Sequence, residues 1–475
     1  MNTPITRLYL VVLLLFGVLV VGTSWNTVFR AQELRDQPQN RRALLEQQRI
    51  RRGVIRAGDG RLLARSLRRG DKTYTRTYPD GGLFAHAVGY SFTRYGRAGL
   101  EQSRNSALSG TTSEFGTIFD RLTGAQPEGD DVVTALDPKA QRVALHALNG
   151  RKGAVVALDP QTGAINVMAS VPGYDPNGIA KPGTFTRLNR DRNAPLLNRT
   201  TQAGYPPGST FKVVTAIAAM DSGRFTPNST VSGRNLKPIS GVPLRNFGNE
   251  DFGQITLTDA LTHSVNTAWA TIGVKLGQAT MAKYMDRLGF DEQVQVDLPS
   301  DERRASGEFL NGKLIRPTSR AVDVGRMAIG QDKLNVTPLQ MAMVAAAVAN
   351  GGRLMRPHLT DKIVDRDGRV VDTIQPRQQS QVMSPRAAGE VADMMGKVVE
   401  EGTGTAAALQ GISVGGKTGT AEVDRPCGPN QVWFIAFAPR HNPKVAIAAT
   451  VECSSGTGGD TAAPIAKQVM QELLR

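Results

Sequence analysis

From Leu8 to Trp25 the chain reads LYLVVLLLFGVLVVGTSW, an uncharged apolar run long enough to cross a bilayer as a helix and longer than the apolar core of a cleaved leader. The pattern predicts an uncleaved signal anchor with Trp25 at the interface. The polar stretch AQELRDQPQNRRALLEQQRI that follows reads as a partly helical stalk, and RRGVIRAGDGRLLARSL as two short strands around a Gly-Asp-Gly turn. In DDVVTALDPKAQRVALHAL a strand runs into a helix opened by Asp137 and Pro138, which puts a domain boundary near Gly150.

The texture changes at Lys152. GAVVALDPQTGAINVMASV is two apolar strands around a Pro-Gln-Thr-Gly turn, a β-hairpin. Helical periodicity fills the middle of the chain in FKVVTAIAAM, DALTHSVNTAWATIGVKLG and PLQMAMVAAAVAN, the last stopped by two glycines. Strands return after Val414, with VWFIAFAP and KVAIAATVE joined by a short RHNP turn. Strand pairs at both ends and helices between them imply an α+β fold. Its antiparallel sheet has first and last strands that meet beneath covering helices.

Composition is globular, and 50 glycines with 26 prolines fit the many turns this pattern needs. The net charge of +15 is concentrated: residues 30–110 hold 17 Lys or Arg against 7 Asp or Glu, an excess of 10 that faces anionic lipid or wall polymer, or simply water. Nucleic acid is a poor partner, because aromatics are only 5% and no helix-turn-helix, zinc or RNA-binding signature accompanies the charge. Arg7 before the apolar run and Arg30, Arg35, Arg41 and Arg42 after it run against the positive-inside tendency, which long translocated domains override. The two cysteines, Cys427 and Cys453, have no metal-ligand neighbours, so no metal site is expected. They flank the two terminal strands, and a hairpin brings them to the same end, where a disulfide fits an oxidising compartment.

Three short motifs carry chemistry: Ser209-Thr210-Phe211-Lys212, Ser264-Val265-Asn266 and Lys417-Thr418-Gly419-Thr420. Ser209 follows Tyr-Pro-Pro-Gly and opens an apolar helix, where backbone N–H groups and the dipole favour a developing negative charge. Lys212 lies one turn along, within reach of the serine as a base, provided it is desolvated or set beside another cation such as Lys417. In isolation the tetrapeptide reads as a helix cap followed by a solvated lysine. Gly411 to Thr418 also satisfies the phosphate-loop pattern, yet a strand rather than a helix follows Lys417. Ser413 sits in a GxSxG pattern with Asp424 and His441 downstream, but no helix follows it, so it reads as an ordinary strand residue.

Together the motifs resemble those of penicillin-binding proteins and serine β-lactamases. RGVIRAGDGRLLA and GLEQSRNSALSG resemble the two N-terminal motifs of class B penicillin-binding proteins, and GQDKLNVTPLQMAMVAAAVANGG a helical stretch of their transpeptidase domain. The resemblance implies residues 1–29 as cytoplasmic tail and anchor, 30–150 as an elongated non-catalytic pedestal, and 151–475 as the transpeptidase domain with an all-helical subdomain. It implies a cell-wall D,D-transpeptidase needing no cofactor. Ser209 would attack the D-alanyl-D-alanine bond of a stem peptide, with Lys212 as base. Ser264 and Lys417 would pass a proton to the leaving nitrogen, and Asn266 would hold the substrate amide. Thr418, Gly419 and Thr420 would bind the terminal carboxylate, and the backbone N–H groups of Ser209 and Thr420 would form the oxyanion hole. β-Lactams would acylate Ser209. The body would lie outside the cytoplasmic membrane, beside division or elongation proteins. A D,D-carboxypeptidase, a β-lactamase, and a β-lactam sensor or division scaffold are the competing readings, with a nucleotide binder more remote.

Overall fold

The computed structural model describes residues 3–28, 48–70, 73–110, 128–423 and 427–475. Residues 31–47 of the expected stalk, and Asp424, lie outside the described residues. The N-terminal helix Thr3–Val28 contains the apolar span Pro4–Trp25, mean hydropathy 2.4, none of it covered by the rest of the protein. It has the length and composition of a membrane anchor.

The sheet larger in residues has five antiparallel strands in the order Gly415–Glu422, Asn430–Ala438, Val445–Ser454, Gly153–Leu158 and Ile165–Val171. The first and last strand pairs meet where Ala448 pairs with Val156. These strands read as continuous apolar runs because both faces are covered. Val155, Ala157, Phe434 and Ile447 pack under the helices Pro138–Leu148 and Ala463–Leu473. Val156, Leu158, Trp433 and Ile435 belong to the core shared with Lys212–Asp221, Pro338–Ala349 and Pro385–Glu400. Pro338–Ala349 is buried at every position from Pro338 to Val348, so its sequence shows no polar face. The Thr337 hydroxyl caps it by accepting from Gln340 N at 3.2 Å.

The cysteines flanking the terminal hairpin are joined, with Cα atoms 5.3 Å apart, because Asn430 pairs with Ser454 at that end. The helix expected to run through the Ser264 motif is instead two, Leu257–Thr262 and Asn266–Leu276. Ser264 breaks it by adopting φ +56°, a left-handed conformation that costs a non-glycine residue about 1–3 kcal/mol. Helical periodicity continues across the break, so it did not reveal the turn.

A second sheet of six strands runs Val370–Thr373, Thr360–Val364, Asp131–Thr134, Ile55–Arg56, Leu62–Arg68 and Tyr74–Thr77. The expected boundary near Gly150 is crossed in both directions. Two strands from residues 360–373 complete the N-terminal sheet. Conversely, Pro138–Leu148 packs on the larger sheet because Ala140, Ala144 and Leu148 give it one apolar face. Asp297 clamps the two parts by accepting from Leu359 N at 2.7 Å, Thr360 N at 2.8 Å and the Arg104 guanidinium at 3.0 Å. Within the N-terminal part, fully buried Glu101 pairs with Arg76 and with Arg52 at 2.9 Å, joining the two N-terminal motifs.

Candidate active site

Ser209 lies in a 3₁₀ turn, Gly208–Phe211, which feeds the helix Lys212–Asp221. The Tyr205-Pro206-Pro207 lead-in is pinned from two sides: Tyr205 donates to Glu452 at 2.7 Å, and the Trp433 indole N–H donates to Pro206 O at 2.9 Å. Gly208 has φ +52°, and its N–H donates to Gly330 O at 3.1 Å, so the turn rests on the segment ending at Gly330. Ser209 does not cap the helix. It is half-buried at the floor of a cleft of about 820 Å³.

Lys212 is fully buried rather than solvated. Its amine donates to Ser264 O at 2.6 Å and to Asn266 Oδ1 at 2.7 Å, and lies 3.2 Å from Ser264 Oγ. The left-handed turn at Ser264 is what brings both its carbonyl and its hydroxyl to one amine. Asn266 is held in the matching orientation because its amide donates to Arg245 O at 2.9 Å. Burial, and then the positive charge of Lys417, push the Lys212 amine well below its ordinary range. Lys417 is also fully buried, and burial lowers it to about 7. Two desolvated amines without a carboxylate partner among the described residues each favour the neutral form, which is what a base needs. No hydrogen bond joins Ser209 to Lys212 among the described residues; the amine is committed to Ser264 O and Asn266 Oδ1.

Lys417 sits on the edge strand Gly415–Glu422, antiparallel to 430–438, and no helix begins there. A phosphate loop requires a helix N-terminus at that lysine, so the nucleotide-binding reading is removed. Ser413, expected as a strand residue, is exposed in the loop before the strand, where its carbonyl accepts from Arg440 N at 2.8 Å; no nucleophile elbow forms. Strand alternation sinks Lys417 and leaves Thr418 and Thr420 lining the cleft. Gly419 has a packing reason: a Cβ there would lie 2.8 Å from Pro207 O and 2.9 Å from Thr210 Cγ2, so only glycine lets this strand close on the Ser209 turn. The Thr420 hydroxyl accepts from Gly458 N at 3.1 Å.

All three motifs therefore meet at one cleft. The cleft also includes Thr403, Arg245, Arg326, Gln331 and Asn430, which the motif pattern did not single out. The signal for Thr403 was a threonine between two glycines after a helix; the others left none, since nothing local marks a charged residue that faces a cleft. Among the described residues no group of three or more His, Cys, Asp or Glu is placed to hold a metal.

Residues 153–471 match the family described as penicillin binding protein transpeptidase domain, and residues 52–132 the penicillin binding protein A dimerisation domain. The chain is 36% identical to the peptidoglycan D,D-transpeptidase PbpA of Mycolicibacterium smegmatis, across 100% of this chain and 99% of that protein. It is 33% identical to PbpA of Mycobacterium tuberculosis, with the same coverage. Among solved structures, penicillin-binding protein A from M. tuberculosis superposes with a TM-score of 0.81 at 33% identity, covering 90% of this chain and 99% of that one. Its ceftriaxone acyl-enzyme complex gives 0.82, covering 91% and 100%. With its three motifs gathered on this fold, and these likenesses running through both parts, the chain belongs to the penicillin-binding protein transpeptidase family.

Proposed function

We propose that this chain, as a peptidoglycan D,D-transpeptidase, uses Ser209 as the nucleophile and Lys212 as its base. The observation that carries the assignment is the buried Lys212 amine, held between Ser264 and Asn266 beside Lys417 and one turn from Ser209. In the first half-reaction the Ser209 hydroxyl attacks the carbonyl between the two terminal D-alanines while Lys212 takes its proton. The C–N bond then breaks and D-alanine leaves with that proton, passed from Lys212 through Ser264 and Lys417, so Lys212 is neutral again. In the second, the amine of a neighbouring stem peptide attacks the acyl-enzyme and gives a proton to Lys212, which returns it to the Ser209 oxygen as the ester C–O bond breaks. A positioned base contributes about 10²–10⁴ in rate.

Asn266 holds the substrate amide, and Thr418, Gly419 and Thr420 receive the terminal carboxylate. The backbone N–H groups of Ser209 and Thr420 form the oxyanion hole. Support comes from Ser209 lying in the first turn of its helical segment and Thr420 on an edge strand facing it. The Thr3–Val28 helix anchors the chain in the cytoplasmic membrane with the body outside, where cell-wall substrate and oxidant for Cys427–Cys453 are found. Protease added to intact spheroplasts should digest the body; protection would refute that orientation.

A labelled penicillin should form a covalent adduct on the Ser209 peptide, and Ser209→Ala should abolish it. Labelling at another serine, or undiminished labelling of the variant, would overturn the assignment. An assay offering an amine acceptor should give more cross-linked product than hydrolysis, whereas a carboxypeptidase would give the reverse.

A further inference from the structure

Four threonines line the cleft: Thr418 and Thr420 on the edge strand, Thr403 on the loop that follows Pro385–Glu400, and Thr457 just before Gly458–Ala462. The Thr403 and Thr418 hydroxyl oxygens are 2.7 Å apart. Lys417 Nζ approaches the same Thr418 oxygen at 3.4 Å. A hydroxyl has one proton and two lone pairs. When Lys417 and Thr403 each donate to Thr418, its lone pairs are engaged and its own proton is left to face the cleft.

The loop is built to hold Thr403 in that place. Thr403 N donates to Thr262 O at 3.3 Å, and Gly404 N to Val398 O at 2.9 Å. A Cβ on Gly402 would lie 2.5 Å from Thr262 O, so the close approach needs glycine. Thr262 ends the helix immediately before the Ser264 turn. One short loop thereby ties the Lys212 end of the cleft to its Lys417 end.

We infer that Thr403 is a positioning residue for the donor stem peptide: it donates to Thr418 and so aims the Thr418 proton at the terminal carboxylate. The inference rests on the carboxylate-binding role proposed above for Thr418. It assigns Thr403 a part in recognising an anionic terminus and none in the acyl-transfer chemistry itself.

The test compares the rate of Ser209 acylation by a labelled penicillin bearing its free carboxylate with that by the methyl ester of the same penicillin. Wild type should prefer the acid. In Thr403→Val, which keeps the shape and removes the hydroxyl, that preference should fall about tenfold, while Thr403→Ser should keep it within about twofold. Both ligands react at one serine, so their ratio does not depend on the fraction of molecules folded, and a destabilised variant still gives an answer. An unchanged ratio in Thr403→Val, or equal losses on acid and ester, would overturn the inference. Absence of any acid preference in wild type would instead overturn the carboxylate role of Thr418 on which it rests.

Discussion

Lys417 shows how the site is maintained at the expense of the fold. Its amine is fully buried and lowered from 10.5 to about 7 by burial alone. Such a fall corresponds to about 5 kcal/mol of unfavourable burial of the charged form. The sign follows from proton counting. Between about pH 7 and 10.5 the unfolded chain holds a proton at this lysine that the folded chain does not, so stability rises with pH across that window. Below about 7 the whole penalty is present. Lys417→Met keeps an unbranched side chain of similar length and removes the charge. It forfeits the bonds to Thr418 O at 3.1 Å and Thr418 Oγ1 at 3.4 Å. Those bonds are worth about 1 kcal/mol each, leaving a net gain of about 2–4 kcal/mol at pH 7. Relief of the repulsion felt by Lys212 adds to the gain. Urea unfolding at pH 7 and pH 10 reads the difference, and penicillin labelling of the same samples should fall at least about a hundredfold. A variant less stable than wild type at pH 7, or a stability gap equally large at pH 10, would refute the reasoning.

Gly419→Ala should fold but acylate about 10²-fold more slowly, because its methyl must displace Pro207 O and thus the Ser209 turn; labelling at the wild-type rate would contradict the packing account. Glu101→Gln should lower stability by about 3–5 kcal/mol in thermal or urea unfolding, since Arg52 and Arg76 lose the carboxylate buried between them; a loss under about 1 kcal/mol would show that the cluster is not under electrostatic demand.

The apolar N-terminal helix, the terminal strand pairs and the helix following Ser209 were legible because each follows a local rule: an uncharged apolar run, alternation bounded by turn residues, an apolar period after a Pro-Gly lead-in. The order of the three motifs and the strand after Lys417 were legible for the same reason. Other features had no local signature. The Ser264 break left the helical period intact, because one left-handed residue between Leu257–Thr262 and Asn266–Leu276 redirects the chain without altering which positions are apolar. Strands 360–364 and 370–373 look like any short strands, and their membership of the N-terminal sheet depends on the Asp297 clamp and on pairing with Asp131–Thr134.

The sequence by itself determined which residues could do chemistry and that Ser209 and Lys212 share one helical segment. Only the tertiary structure decided that Lys212 is a buried amine whose pKa is pushed well below its ordinary range, rather than a solvated charge. That state requires Ser264, Asn266 and Lys417, which lie far along the chain, to surround one nitrogen and exclude water from it. Desolvation is a property of packing, and a local sequence pattern does not contain it.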